Sequence, residues 1–179
     1  REWLAPSRRV DHRRAAALAA LGGVLGDGIS SVLTRELVTA RGLAVAAGAA
    51  YSGSARDYGR FTVYATPKPG VTLQALEAAL DEVLADFLAG DGPDRDRRDR
   101  FKSQWRAAYI YAQDSQVSLA QRYGAGLAGD LTLEQIEGWP DDLQAVSVDD
   151  VMDAARTLLR PEAAVTGWLR APAEEGGEG

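Results

Sequence analysis

Cysteine is absent from these 179 residues, histidine and methionine occur once each, and no apolar run approaches the length needed to cross a bilayer. Each gap removes a class of chemistry. Without cysteine there is no disulfide framework, no thiol nucleophile and no cysteine-based zinc site, while the compartment stays open between cytoplasm and periplasm. A hydrolytic zinc site needs roughly three nitrogen, sulfur or oxygen ligands, typically with two histidines on one helix face, and His12 is the only imidazole. The same scarcity argues against a serine–histidine–acid triad, and no serine lies in a Gly-x-Ser-x-Gly elbow. Positive charge is scarce too: the net charge of -6 argues against general nucleic-acid binding. The local exception is Arg8, Arg9, His12, Arg13 and Arg14 around Asp11, which reads as a solvated helix start rather than a phosphate site, with His12 exposed in it.

What is present suits a soluble globular fold. The chain is 46% hydrophobic and 26% charged, long enough for one core without staples. A single domain is expected over 1–172, with the acidic, glycine-rich tail 173–179 too poor in apolar residues to fold. Glu2 to Ala5 reads as a strand stopped at Pro6. Asp11 caps an alanine-rich helix through Leu25, which breaks at "GGVLGDG"; Ser30 or Ser31 caps a short second helix to about Thr39. "GLAVAAGAAYS" and "YGRFTVYAT", joined by "SGSARD", form an antiparallel hairpin in which Phe61, Val63 and Ala65 alternate with Thr62, Tyr64 and Thr66.

Thr72 caps the next helix, where Leu73, Leu76, Leu80, Val83, Leu84 and Phe87 keep helical spacing. A charged helix start "DRDRRDR" runs into "FKSQWRAAYIYA", and a further helix covers Ser115 to Leu127. Thr132 and Ser147 cap two more helical segments, and "AAVTGWLR" forms a last strand. The order of strand, helix, two strands, helices and final strand defines an α+β two-layer sandwich, with helices on one face of a mixed, mostly antiparallel sheet.

Three suggestive stretches have plain readings. "GGVLGDG" lacks the dinucleotide spacing and the closing Gly-Lys-Ser/Thr of a phosphate loop, and reads as a flexible helix C-terminus. The acids of "DGPDRDRRD" miss the glycine and closing glutamate of a calcium loop; Asp94 with Arg98 and Asp96 with Arg100 instead have the spacing of helical ion pairs. Trp105 and Tyr109, one turn apart, read as core or interface residues rather than a binding box.

The runs "LGGVLGDGISSVLTRELVTARGLAV", "AAYSG", "FTVYATPKPGVTLQALEAALDEVL" and "QWRAAYIYAQDS", with "EWLAP" before and "VSVDDVMDAARTLLRPEAAVTGWL" after, resemble the C-terminal, non-catalytic half of pitrilysin/insulinase zinc peptidases, relatives of the mitochondrial processing peptidase. The specific part is Ser30 to Leu37 followed by Arg41 to Ala44. The resemblance implies a LuxS/processing-peptidase-like core of strand, helix, two strands and two helices. It also implies a first half, elsewhere, with an H-x-x-E-H zinc motif whose glutamate acts as general base. Active members of that family carry, in the second half, an arginine and a tyrosine seven residues apart that contact substrate. Those positions fall on Val38 and Val45, neither of which has a hydrogen-bond donor. Arg35, Glu36 and Arg41 complete the candidate substrate-binding set. Tyr51 lies roughly 20 Å along the strand from Val45, too far to substitute.

The implied function is therefore a non-catalytic domain that closes a peptidase chamber and supports a peptide substrate. The chain alone is not an enzyme on this reading: zinc belongs to the catalytic half, in the same polypeptide or on a partner subunit. The alternatives are a catalytically dead scaffold subunit of the same superfamily and an unrelated α+β binding module. A homodimer is compatible with an uncovered apolar face; no nucleic acid or membrane is expected as a partner.

Overall fold

The computed structural model describes residues 1–93 and 95–170. The elements are β1 (Glu2–Pro6), α1 (His12–Gly26), a π-helical turn (Thr34–Ala40), β2 (Ala44–Ser52), β3 (Tyr58–Pro67), α2 (Leu73–Ala89), α3 (Arg95–Gln113), α4 (Gln116–Ala128), α5 (Leu133–Glu137), α6 (Trp139–Ala145), α7 (Val148–Leu158), a 3-10 turn (Pro161–Ala163) and β4 (Ala164–Val165). The four strands make one antiparallel sheet in the order β2-β3-β1-β4. The α+β architecture read from the sequence is the architecture observed.

Alternation in β3 sets which side of the sheet is covered. Gly59, Phe61 and Val63 are buried, and Tyr58, Arg60 and Tyr64 are exposed. Register carries the pattern across: Trp3 stands opposite Phe61 and packs on it edge-to-face at 6.4 Å, while the Trp3 indole N–H donates to the Arg160 carbonyl at 2.9 Å. On this covered side α1 lies against β2, with α3, α6 and α7 around it, so helix burial is nearly all-round from Ala15 to Leu25. Alanine suits such a helix, because small side chains let four neighbours approach at once. α2 adds Leu76, Leu80, Val83, Leu84 and Phe87 to the same core.

The glycines expected to break the first helix lie inside it. α1 continues to Gly26 because its C-terminal turns run at backbone distance from β2: a Cβ at Gly26 would sit 1.7 Å from the Ala49 amide nitrogen, and one at Gly22 3.4 Å from that of Tyr51. Gly23 faces the Phe101 ring, where a Cβ would fall at 2.1 Å. Only Gly28, beyond the helix end at φ +76°, serves a turn. The run is a helix–strand and helix–helix contact, not a flexible terminus.

Capping signals read correctly. Asp11, Thr72 and Ser115 accept from the amides of Arg14, Ala75 and Ser118, and Thr132 and Ser147 each close a reciprocal capping box. Between those boxes an additional helix, α6, starts on Trp139-Pro140, and Lys102 of α3 caps its C-terminus, donating to the Gln144 and Val146 carbonyls at 2.6 Å each. Burial pushes the Lys102 amine below its ordinary value.

The last strand is shorter than its sequence pattern: only Ala164 and Val165 pair, with Trp3 and Glu2, and 166–170 continue without strand structure. The expected ion pairs of α3 also differ. Arg98 bonds its neighbour Asp99, and Arg100 reaches the Asp96 carbonyl oxygen rather than its carboxylate; Asp94 lies outside the described residues, as does the tail 173–179.

Candidate functional site

The short helix expected from Ser30 or Ser31 to Thr39 is a π-helical turn from Thr34 to Ala40. The Arg41 amide reaches back five residues to the Glu36 carbonyl at 3.0 Å, and the Leu43 amide six residues to Leu37 at 2.9 Å, across Gly42 at φ +60°. Ser31 caps the segment through the Thr34 amide at 3.4 Å, and the Thr34 hydroxyl donates to the Ala47 carbonyl of β2 at 3.3 Å. Leu33 and Leu37 are fully buried and anchor the turn to the core. Wide turns of this kind interrupt regular helices at functional positions more often than elsewhere.

Arg35, Glu36, Val38 and Arg41 therefore share one anchored turn. Val38 is half-buried, packed on the core. Val45 follows at a β-bulge: pairing runs Ala44 with Pro67 and then Ala46 with Thr66, so Val45 is the residue without a partner, and it is 54% exposed. The charges on this face are engaged with one another. Arg35 bonds Glu36 through Nε and a terminal nitrogen, both at 2.9 Å, and Arg41 bonds Glu82 of α2 at 2.6 Å. A groove of about 280 Å³ runs beside the turn, lined by Val32, Arg35, Glu36, Val83, Asp86 and Phe87. The arrangement offers apolar contact at Val38 and Val45 and paired charge beside it. Neither valine can donate to a peptide carbonyl or a developing oxyanion.

Tyr51 is committed elsewhere. Its hydroxyl donates to the Pro6 carbonyl at 2.6 Å, tying β2 to the end of β1, and burial pushes the phenol well above its ordinary value.

His12 departs from the sequence reading. It is half-buried, with Nε2 2.6 Å from the Asp142 carboxylate and its ring edge-on to Trp139 at 5.4 Å. The guanidinium of Arg8 stacks over the same Trp139 at 4.0 Å and donates to the Gln135 carbonyl at 2.8 Å. Arg13 and Arg14 pair with Asp150 and Asp153 of α7 at 3.5 and 3.3 Å. The basic run is thus a seam between the start of α1 and helices α6 and α7, its partners 130 residues away in sequence and invisible to local pattern. Trp105 and Tyr109 stack at 5.2 Å with Arg122 over Tyr109, a packing role rather than a pocket.

Among the described residues no group of three His, Cys, Asp or Glu side chains converges to hold a metal ion, and the sole imidazole is taken by Asp142. The residues present do not fit a zinc site.

A two-layer α+β unit with an anchored turn beside β2, and no metal-binding donor set among the described residues, is the class the fold defines. Residues 2–104 match the family model of the peptidase M16 inactive domain, and the chain belongs to that family. It is 31% identical over 164 residues to an uncharacterized zinc protease of Streptomyces coelicolor and 33% identical over 164 residues to one of Mycobacterium leprae, covering 90% of this chain in both cases. The chain spans only 35% and 36% of those relatives' lengths. In fold it is similar to a protease from Helicobacter pylori, with a TM-score of 0.81 at 22% identity over 90% of this chain and 38% of that one. An inactive peptidase domain from Bordetella parapertussis gives 0.79 at 17% identity, over 96% and 92% of the two chains.

Proposed function

We propose that this chain serves as the non-catalytic half of an M16 zinc protease, closing a chamber over a zinc-bearing half and bearing on an extended peptide through the turn at Arg35 to Arg41 and the bulge at Val45. The observation that carries the reading is coverage: the chain accounts for about a third of the length of its zinc-protease relatives, and no metal donor set converges among its described residues. Zinc, and the glutamate that activates its water, then belong to an H-x-x-E-H half in the same polypeptide or on a partner subunit. Val38 and Val45 contribute apolar contact to the chamber wall, and Arg41 holds that wall on α2 through Glu82.

One observation favours a second reading. Val38 and Val45, where the resemblance places the arginine and tyrosine of active members, carry no donor, which suits a catalytically dead scaffold. Sedimentation of this chain mixed with its zinc-bearing half tests the shared premise: a one-to-one complex is expected, and two independently sedimenting species would refute both readings. Substituting Val38→Arg and Val45→Tyr together separates them. A rise in peptide cleavage by the complex of about tenfold or more supports the peptidase half, and an inert complex before and after substitution supports the scaffold.

A further inference from the structure

Val38 and Val45 lie inside one closed ring of chain. The Thr34 hydroxyl donates to the Ala47 carbonyl at 3.3 Å, joining residues 13 apart in sequence, and both valines fall between them. Two bonds brace the ring from within, from the Arg41 amide to the Glu36 carbonyl and from the Leu43 amide to the Leu37 carbonyl, and the Lys68 amide ties Leu43 to the end of β3 at 2.9 Å. Val45 therefore stands midway between two ties, at Leu43 and at Ala47. Together they hold the unpaired residue of the bulge in place.

The closing bond is prepared from both sides. Ser31 is 2% exposed, and its hydroxyl donates to the Thr34 oxygen at 3.0 Å, so the Thr34 proton is left for Ala47. The acceptor is a carbonyl that the sheet does not use. Val63 exchanges both of its ladder bonds with Arg1, so Ala65, two residues along β3, also turns its backbone groups away from β2. Ala47 stands opposite Ala65, and β2 is an outer strand, so the Ala47 carbonyl points to the sheet's edge. Ala47 is only 8% exposed, and Thr34 supplies its carbonyl with a donor.

We infer that Thr34 is a positioning residue: by closing this ring it sets Val38 and Val45 at one fixed spacing, and so governs how tightly the wall they form holds an extended peptide. The inference rests on the reading of this turn and bulge as a peptide-bearing wall. Thr34→Val keeps the shape of the side chain and loses the bond, which leaves a buried carbonyl without a donor and the start of the turn without its hydrogen bond to β2. Thr34→Ser keeps the hydroxyl.

The experiment measures the dissociation constant of a labelled, unstructured peptide for the complex of this chain with its zinc-bearing half, with chelator present so that the peptide stays intact. Thr34→Val should weaken binding about fivefold, and Thr34→Ser should stay within about twofold of the unaltered chain. Ser147→Ala, which removes a helix cap of similar worth away from the ring, should leave binding unchanged. Unaltered binding by Thr34→Val, or equal weakening by Thr34→Val and Ser147→Ala, would overturn the inference while leaving the wall in place. An unaltered complex that binds no peptide would overturn the reading of the wall, and the inference with it.

Discussion

The two outer strands of the sheet are held in opposite ways. β2 is nine residues long, is met by α1 at backbone distance through Gly26, and is tied to the π-helical turn through Thr34. β4 is two residues long, with Val165 75% exposed. Small residues give β2 its closeness: the chain places glycine where another backbone must approach, and alanine along the rest of the seam. The β4 side has large apolar residues: Leu169 is 94% exposed, and Trp168 is 38% exposed with its indole N–H donating to Glu77. One outer strand is enclosed by its neighbours and the other is left largely exposed.

The comparison breaks first at Gly26. A Gly26→Ala methyl would have to displace the Ala49 backbone, which no rotamer change relieves, so a loss of about 3 kcal/mol or more is expected in urea unfolding, or no folded protein. Gly22→Ala sharpens the point: its methyl would stand 3.4 Å from the nearest atom, and the gain in helix propensity offsets much of the contact, so the change should stay within about 1 kcal/mol. Equal penalties at the two positions would contradict the close-approach explanation.

Next in size are the helices that press α1 onto the sheet. Ser147→Ala removes the cap of α7 and should cost about 1 kcal/mol in a denaturant titration. Hydrogen bonds from the Ser147 hydroxyl and amide hold the Asp150 carboxyl below its ordinary value. A lowered native value means that the contribution is full above about pH 4 and is lost as pH falls through the lowered value. Urea midpoints near pH 6 and near pH 3 should therefore differ less for Asp150→Asn than for the unaltered chain. The smallest effect belongs to β4: Val165→Ala should change stability by no more than about 0.5 kcal/mol.

Much of this fold is legible locally because its signals are local. The period-two pattern of β3, the caps at Thr72, Thr132 and Ser147, and the leucine spacing of α2 depend on residues within a turn or a strand of one another. The misreadings share a different origin. Gly22, Gly23 and Gly26 look like a helix end until β2 and Phe101 are placed beside them. His12 looks solvated until Asp142 arrives from 130 residues away. Residues 164–170 have a strand pattern, but only Ala164 and Val165 pair with β1. At the candidate site, Ser30 to Ala44 spans the anchored π-helical turn. The π-helical widening and the bulge at Val45 escaped notice, because both are set by the fit of the turn between α2 and β2.

The central claim is that this chain completes a peptidase whose metal chemistry lies elsewhere. The most direct measurement is cleavage of an unstructured peptide by the H-x-x-E-H half, with and without this chain, each with a chelator control. The account predicts chelator-sensitive cleavage that rises when this chain is added, despite valine at 38 and 45. No cleavage from two folded pieces, with zinc bound to the H-x-x-E-H half, would contradict it.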